Sequence, residues 1–141
     1  MLVLFVMLVF FIIVFFIINT FFVSPITFHV SLEDRLLNRG EIGTLNSEIR
    51  NLAFYGVRDI SVESYIVMLD FDGNVVNESL GKENVAELYS VGGFTASVVS
   101  YDFETDDLEV GRYRAYSYVS YTSNYDMPFV KDWGSKDFRI I

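Results

Sequence analysis

Hydrophobic and polar residues follow two different patterns along this chain. From Met1 to Ile18 every residue is apolar, with no charge, no polar side chain, no glycine and no proline. A helix resting on a soluble core carries a polar stripe at a 3.6-residue period, and this run has none. At about 1.5 Å per residue it covers roughly 27 Å, and its extension to Val23 roughly 35 Å, against a hydrocarbon core of about 30 Å. Residues 1–23 are therefore predicted to form a transmembrane helix, ended by Ser24-Pro25. Further on, short segments rich in Val, Ile, Tyr, Phe and Thr alternate with turn residues, the pattern of strands. They predict strands over Thr44–Asn51, Ser61–Phe71, Asn74–Ser79, Asn84–Tyr89, Phe94–Asp102, Gly111–Tyr121 and Phe129–Ile141. The fold class is thus mainly β, an N-terminal transmembrane α-helix followed by a seven-stranded β-sandwich.

Three segments follow: a transmembrane helix over 1–23, a membrane-proximal linker over 24–40, and the sandwich over 41–141. In the linker, Leu32–Asn38 is predicted to be a helical turn with Ser31 as its cap and Asp34 in its first turn. Asp72-Gly73 predicts a tight hairpin turn, since a two-residue turn needs positive φ and Asp-Gly tolerates it. A cleavable secretory signal has a basic start, a short apolar core and a small-residue cleavage site. Here no Lys or Arg precedes Arg35 and nothing like A-x-A appears around Asn19–Pro25, so an uncleaved anchor is expected. Only Arg35 and Arg39 flank the helix; taken literally they favour a cytoplasmic domain. Two residues make a weak bias, and the domain has the composition of a cell-surface module, so an extracytoplasmic C-terminal domain on a single-pass membrane protein is expected.

Composition narrows the chemistry. Ten Lys and Arg stand against nineteen Asp and Glu, a net charge of −9, which makes nucleic acid and anionic lipid surfaces poor partners. The absence of cysteine removes disulfides, thiolate catalysis, cysteine metal sites and lipoprotein acylation. Hydrolytic triads need a histidine to shuttle the proton, and the one histidine, His29, lies next to the membrane-proximal segment with no obvious nucleophile partner. No catalytic residue and no cofactor are assigned. Asp102, Glu104, Asp106, Asp107 and Glu109 are dense enough to raise a calcium site, but acidic residues before a corner are ordinarily solvated. Asp70-x-Asp72-Gly73-Asn74 opens like a calcium loop, yet Gly81 stands at its twelfth position, where a bidentate Glu is needed. No metal site is assigned. Asn77-Glu78-Ser79 is an N-glycosylation sequon, which makes Asn77 a candidate modification site.

The most specific local pattern is Leu108-Glu109-Val110-Gly111-Arg112-Tyr113, followed by alternation through Ala115, Ser117, Val119 and Tyr121. It looks like the L-x-x-G-x-Y entry to the penultimate strand of immunoglobulin-like sandwiches, where a buried tyrosine hydroxyl bonds the backbone upstream. With Leu69-Asp70-Phe71-Asp72-Gly73-Asn74-Val75-Val76 and an ending in Asp137-Phe138-Arg139-Ile140, residues 41–141 resemble fibronectin-type-III-like and CARDB-like modules of prokaryotic, often archaeal, surface proteins. The resemblance implies a seven-stranded immunoglobulin-like sandwich with Tyr113 as its structural corner, and adhesion-type or scaffolding use without a particular ligand. Val110 stands where the pattern usually has proline, and the apolar Leu52-Ala53-Phe54-Tyr55 interrupts the second strand.

If Tyr113 is the corner, the odd positions of Gly111–Tyr121 face the core and Arg112, Arg114, Tyr116 and Tyr118 face outward. Ser61–Phe71 is apolar on both sides, with Val62, Ile66 and Met68 on one and Tyr65, Val67, Leu69 and Phe71 on the other. These strands are neighbours in immunoglobulin-like topology, so Tyr65, Val67, Leu69, Arg114, Tyr116 and Tyr118 form the candidate interface; a loop of the same chain lying over them is the alternative. The expected function is a membrane-anchored, non-enzymatic interaction or scaffolding subunit. Its expected partners are the lipid bilayer through residues 1–23, and a protein or further copies of itself through the sheet face. One alternative is an archaeal type-IV-pilin-like filament subunit with the helices in the filament core. Against it, Met1–Val30 contains no Gly or Ala for close helix packing. An accessory subunit of a membrane enzyme is a further alternative. Carbonate-washed membranes should retain the full-length chain, and recovery of a soluble chain beginning beyond residue 23 would overturn the anchor.

Overall fold

A computed structural model of the chain describes residues 1–21, 26–77, 84–123 and 130–141, excluding the side chains of 19–21, 77, 84, 123 and 130. Helix α1 (Leu2–Phe21) precedes β1 (Ile26–Leu32), β2 (Leu36–Leu37), β3 (Ile42–Asn51), β4 (Val57–Leu69) and β5 (Val75–Asn77). Then come β6 (Asn84–Val91), β7 (Ala96–Glu104), β8 (Gly111–Ser123) and β9 (Val130–Ile140). A three-stranded sheet has the order β1-β3-β7, and a six-stranded sheet the order β2-β9-β8-β4-β5, with β6 also on β4. The two sheets pack as a sandwich.

Alternation builds the core. On β8, Tyr113, Ala115, Ser117, Val119 and Tyr121 are all buried, and on β3 Leu45, Ser47 and Ile49 face them from the other sheet. The apolar side chains fall into two clusters, one holding Leu45, Ile66, Ala115 and Phe138, the other Ile49, Val62, Val119 and Tyr121. Ser47, Ser64 and Ser117 stand between the clusters on β3, β4 and β8, each flanked two residues away by a member of either side. Their hydroxyls satisfy one another, Ser117 Oγ lying 2.7 Å from Ser47 Oγ and 3.1 Å from Ser64 Oγ, so burying them leaves no hydroxyl unpaired.

The corner between the sheets is fixed by backbone acceptors. The buried Tyr113 donates its hydroxyl to the Glu109 carbonyl at 2.6 Å, and burial pushes the phenol's pKa up. Thr105, fully buried, accepts from the Gly40 amide at 2.9 Å and donates to the Glu41 carbonyl at 2.6 Å, tying the acidic loop to the turn that opens β3.

Several expectations are corrected. Nine strands, rather than seven, occur among the described residues, because the stretch set aside as a linker contributes two. β1 pairs with β3 from Ile26↔Asn51 to Leu32↔Leu45, and β2 runs parallel to β9, so Leu32–Asn38 is not a helical turn. Burial decides this: Val30 and Leu37 both enter the core, and the local capping signal does not outweigh it. Gly134 makes room for β1, since a Cβ there would lie 2.6 Å from Val30 Cγ2. The loop at Asp72-Gly73 is wider than two residues. Asp70 accepts from the Asn74 amide at 2.8 Å, and Gly73 takes a φ of +89°. α1 is described as far as Phe21, the predicted end at Phe22-Val23 lying outside the described residues, and among the described residues no helix is long and apolar enough to cross a membrane; its described side chains end at Ile18. The predicted ends of two strands, Glu78–Ser79 and Phe129, lie outside the described residues.

Tyr113→Phe removes one buried hydrogen bond and leaves the Glu109 carbonyl without its donor, which should cost about 1–3 kcal/mol. Tyr116→Phe, whose ring is on the opposite face of β8, should cost no more than about 0.5 kcal/mol. Denaturant midpoints of the two variants test the corner, and equal losses would contradict it.

Candidate functional site

The alternation that buries one face of β4, β8 and β9 turns the other outward, and aromatic residues meet there. Tyr65 on β4 is paired with Tyr116 on β8, and Tyr118 on β8 with Trp133 on β9. Their rings form one cluster. The Tyr65 centroid is 5.3 Å from that of Tyr116 and 5.8 Å from that of Tyr118, with planes within 21° and 8°. Trp133 lies 6.2 Å from Tyr116 and 6.4 Å from Tyr118. Tyr65 donates its hydroxyl to that of Tyr118 at 3.1 Å. Such ring pairs are worth about 0.5–1.5 kcal/mol each beyond the area they cover, so the cluster holds its shape without a ligand. The tyrosines are half-buried and Trp133 is 58% exposed, which presents an indole on a pre-ordered base.

An ion pair borders the rings. Arg114 on β8 donates from Nε and Nη2 to the two carboxylate oxygens of Asp137 on β9, at 2.5 and 3.0 Å. The hydrogen bonds and charge of Arg114 hold the Asp137 carboxyl below its ordinary range, and Asp137 with Tyr116 raises the guanidinium further. A guanidinium held by both nitrogens is oriented as well as charged.

Of the six interface candidates, the structure brings Tyr65, Arg114, Tyr116 and Tyr118 together. Val67 and Leu69 are corrected: each is only 3% exposed and neither is presented to a partner. They stand opposite Arg114 and Arg112 in the register, long side chains whose apolar stems cover neighbours, and β5 pairs along the other edge at Leu69. Trp133 was absent from the candidates. Its signal was the period of the last strand, where Phe138 and Ile140 point inward and the odd positions 133, 135 and 137 consequently point out.

The other sequence candidates do not assemble a site. Asp102 accepts from Thr44 Oγ1 at 2.7 Å, and among the described residues no three His, Asp or Glu side chains are grouped to hold a metal ion. Asp70 caps its own loop through Asn74, and hydrogen bonds from Asn74 lower its pKa. His29 is exposed on β1, opposite Glu48. Asn77 ends β5, but its side chain and the rest of the sequon lie outside the described residues.

Neither a protein-family model nor a curated protein matches the chain. Solved structures do. The CARDB domain of the PF1109 protein from Pyrococcus furiosus, crystallised in complex with di-metal ions, is 17% identical; the match covers 82% of this chain and 91% of that one, with a TM-score of 0.55. The solution structure of the same domain, also 17% identical, matches over 83% and 94% with a TM-score of 0.55. The C-terminal domain of wzt is 12% identical over 84% and 74%, with a TM-score of 0.56. The fold is that of a CARDB-like β-sandwich module.

The ion pair gives the face a pH signature. Because the folded-state pKa of Asp137 is depressed, its contribution is complete above the unfolded value of about 3.9 and is lost as pH falls through the folded one. Asp137→Asn should remove that part of the acid limb. The loss at neutral pH should be about 1 kcal/mol or less, the pair being partly solvated, and thermal midpoints from pH 2 to 7 report it.

Proposed function

We propose that the chain is a membrane-anchored, non-enzymatic interaction subunit of the cell surface that docks a protein partner on the outer face of its large sheet. The observation that carries the docking is the cluster of Tyr65, Tyr116, Tyr118 and Trp133 beside the Arg114–Asp137 pair. Aromatic and Arg side chains bury large areas with little rotamer loss, so they dominate binding where they sit at the centre of an interface. A net charge of −9 with a ring-rich face suits a protein surface better than a polyanion.

The anchor has separate support. All the described side chains of α1 except Val14 are exposed, a bare apolar surface that water does not tolerate. The described apolar stretch, Leu2–Ile18, is roughly 26 Å long, and after Asn19-Thr20 the sequence is apolar again at Phe21-Phe22-Val23, which brings the whole segment to the thickness of a bilayer core. The di-metal ions of the Pyrococcus domain are not carried over, since the described residues gather no ligand set. No catalytic step is assigned to the face, whose groups are rings, hydroxyls and a closed ion pair.

Tyr118→Ala combined with Trp133→Ala removes two facing rings without touching the core. Co-purification of partner proteins from native membranes should fall by well over tenfold, at about 2 kcal/mol or more for each anchoring ring, while circular dichroism of the variant is unchanged. Undiminished recovery would place docking elsewhere. A helical polymer seen by electron microscopy of the membranes would favour the filament subunit.

A further inference from the structure

The strand register gathers one end of the sandwich around the point where the chain leaves α1. β1 begins at Ile26, paired with Asn51 at the end of β3; Arg50 pairs with Ala96 at the start of β7. Val57, at the start of β4, pairs with Val91 and Ser123, the ends of β6 and β8. Two described loops close this pole, 52–56 and 92–95. Neither contains a charged residue, in a chain that carries twenty-nine, ten of them basic and nineteen acidic.

What these loops display is apolar. Leu52 is 57%, Phe54 56% and Phe94 74% exposed. Their backbones are held firmly from beneath by Asn51, which is fully buried and donates from Nδ2 to the Tyr55 carbonyl at 2.6 Å and to those of Val91 and Gly92 at 3.3 Å. Its Oδ1 accepts from the Ala53 amide at 3.0 Å, and the Phe94 amide donates to the Ala53 carbonyl at 3.0 Å. Phe94 has a φ of +55°, a left-handed conformation that is costly for a bulky side chain and persists only where its surroundings over-determine it. The pole thus keeps a strained backbone and a bare phenyl ring together.

The helix reaches the same place. The ring of Phe16 lies 6.4 Å from that of Phe54, edge to face. Phe16 stands five residues before the end of α1, so a loop that touches it reaches about 7 Å along the helix from its C-terminal end. Side chains that dip into the boundary between headgroups and acyl chains go about 5–10 Å deep. We propose that Leu52, Phe54 and Phe94 form a second membrane contact, an apolar tip on two charge-free loops that seats the sandwich on a zwitterionic lipid surface beside its own helix. This rests on the reading that α1 lies in the membrane. It fixes the posture of the domain: with the pole down, the strands rise from the bilayer. Trp133, paired with Tyr118 five residues from the pole end of β8, sits about 17 Å above it.

The test is fluorescence quenching on the full-length chain reconstituted in phosphatidylcholine vesicles, with and without bromine near the headgroup end of the acyl chains. Trp133 is the sole tryptophan, so Phe94→Trp and, separately, Leu52→Trp, each combined with Trp133→Phe, place one indole at the pole. Each variant is checked by circular dichroism. Both pole indoles should emit to the blue of Trp133 and lose roughly half or more of their intensity to the brominated lipid, while native Trp133 is unquenched. Vesicle flotation separates the two claims. A chain that does not float with the vesicles overturns the anchor itself. A chain that floats with water-exposed, unquenched pole indoles leaves the anchor standing and overturns the pole contact. Blue-shifted emission without bromine quenching means that the pole packs on protein, such as a second copy, and also overturns it.

Discussion

Two thirteen-residue strands, β4 and β8, pair antiparallel through the middle of the large sheet, and successive side chains on them point into two different environments. Inward, Ile60, Val62, Ile66, Tyr113, Val119 and Tyr121 meet the small sheet. Outward, Tyr65, Tyr116 and Tyr118 meet one another and Trp133. A slip of one residue in this pairing would exchange the two sets, placing Arg114 in the core and Tyr113 in water. The buried serines on β3, β4 and β8 add to the same register, because their three hydroxyls are satisfied only when the strands are aligned as they are. Buried polar groups of this kind discriminate among registers that apolar packing alone would accept.

The same register connects the core to the pole proposed to meet the membrane. With Ile26 opposite Asn51, the chain enters the sandwich at the pole formed by the 52–56 and 92–95 loops, and Asn51 holds both loops from below. The proposed docking face lies along the sheet instead of at its end, so the two proposed contacts, with lipid and with a partner, do not compete. Tertiary pairing also explains why β1 and β2 belong to the sandwich. Each strand is too short or too mixed to be stable alone, and each is held by a neighbour remote in sequence, β1 by β3 and β2 by β9.

The architecture is shared with a CARDB domain at an identity of 17%, a level at which likeness speaks for the fold alone. Fold likeness therefore supplies no ligand for the Arg114–Asp137 pair and the ring cluster.

Period-two alternation in Gly111–Tyr121 was enough to separate Tyr113, Ala115 and Val119 from Arg114, Tyr116 and Tyr118, because the pleat leaves a strand residue only two directions to point. The charge-free run at the start, the all-β character and the corner motif were legible for the same reason: each is a local property of consecutive residues. What could not be read locally depended on partners distant in the chain. Ile26–Leu32 and Leu36–Leu37 looked like a linker until β3 and β9 supplied their hydrogen bonds, and Val67 and Leu69 looked exposed until the strands around them enclosed them. Trp133 joined the rings only through its pairing with Tyr118, and Leu52, Phe54 and Phe94 shared a pole only once the strand ends were aligned. The sequence by itself determined which way each side chain of a strand could face; the tertiary structure decided what it met there, because that contact is made between residues brought together only by the fold.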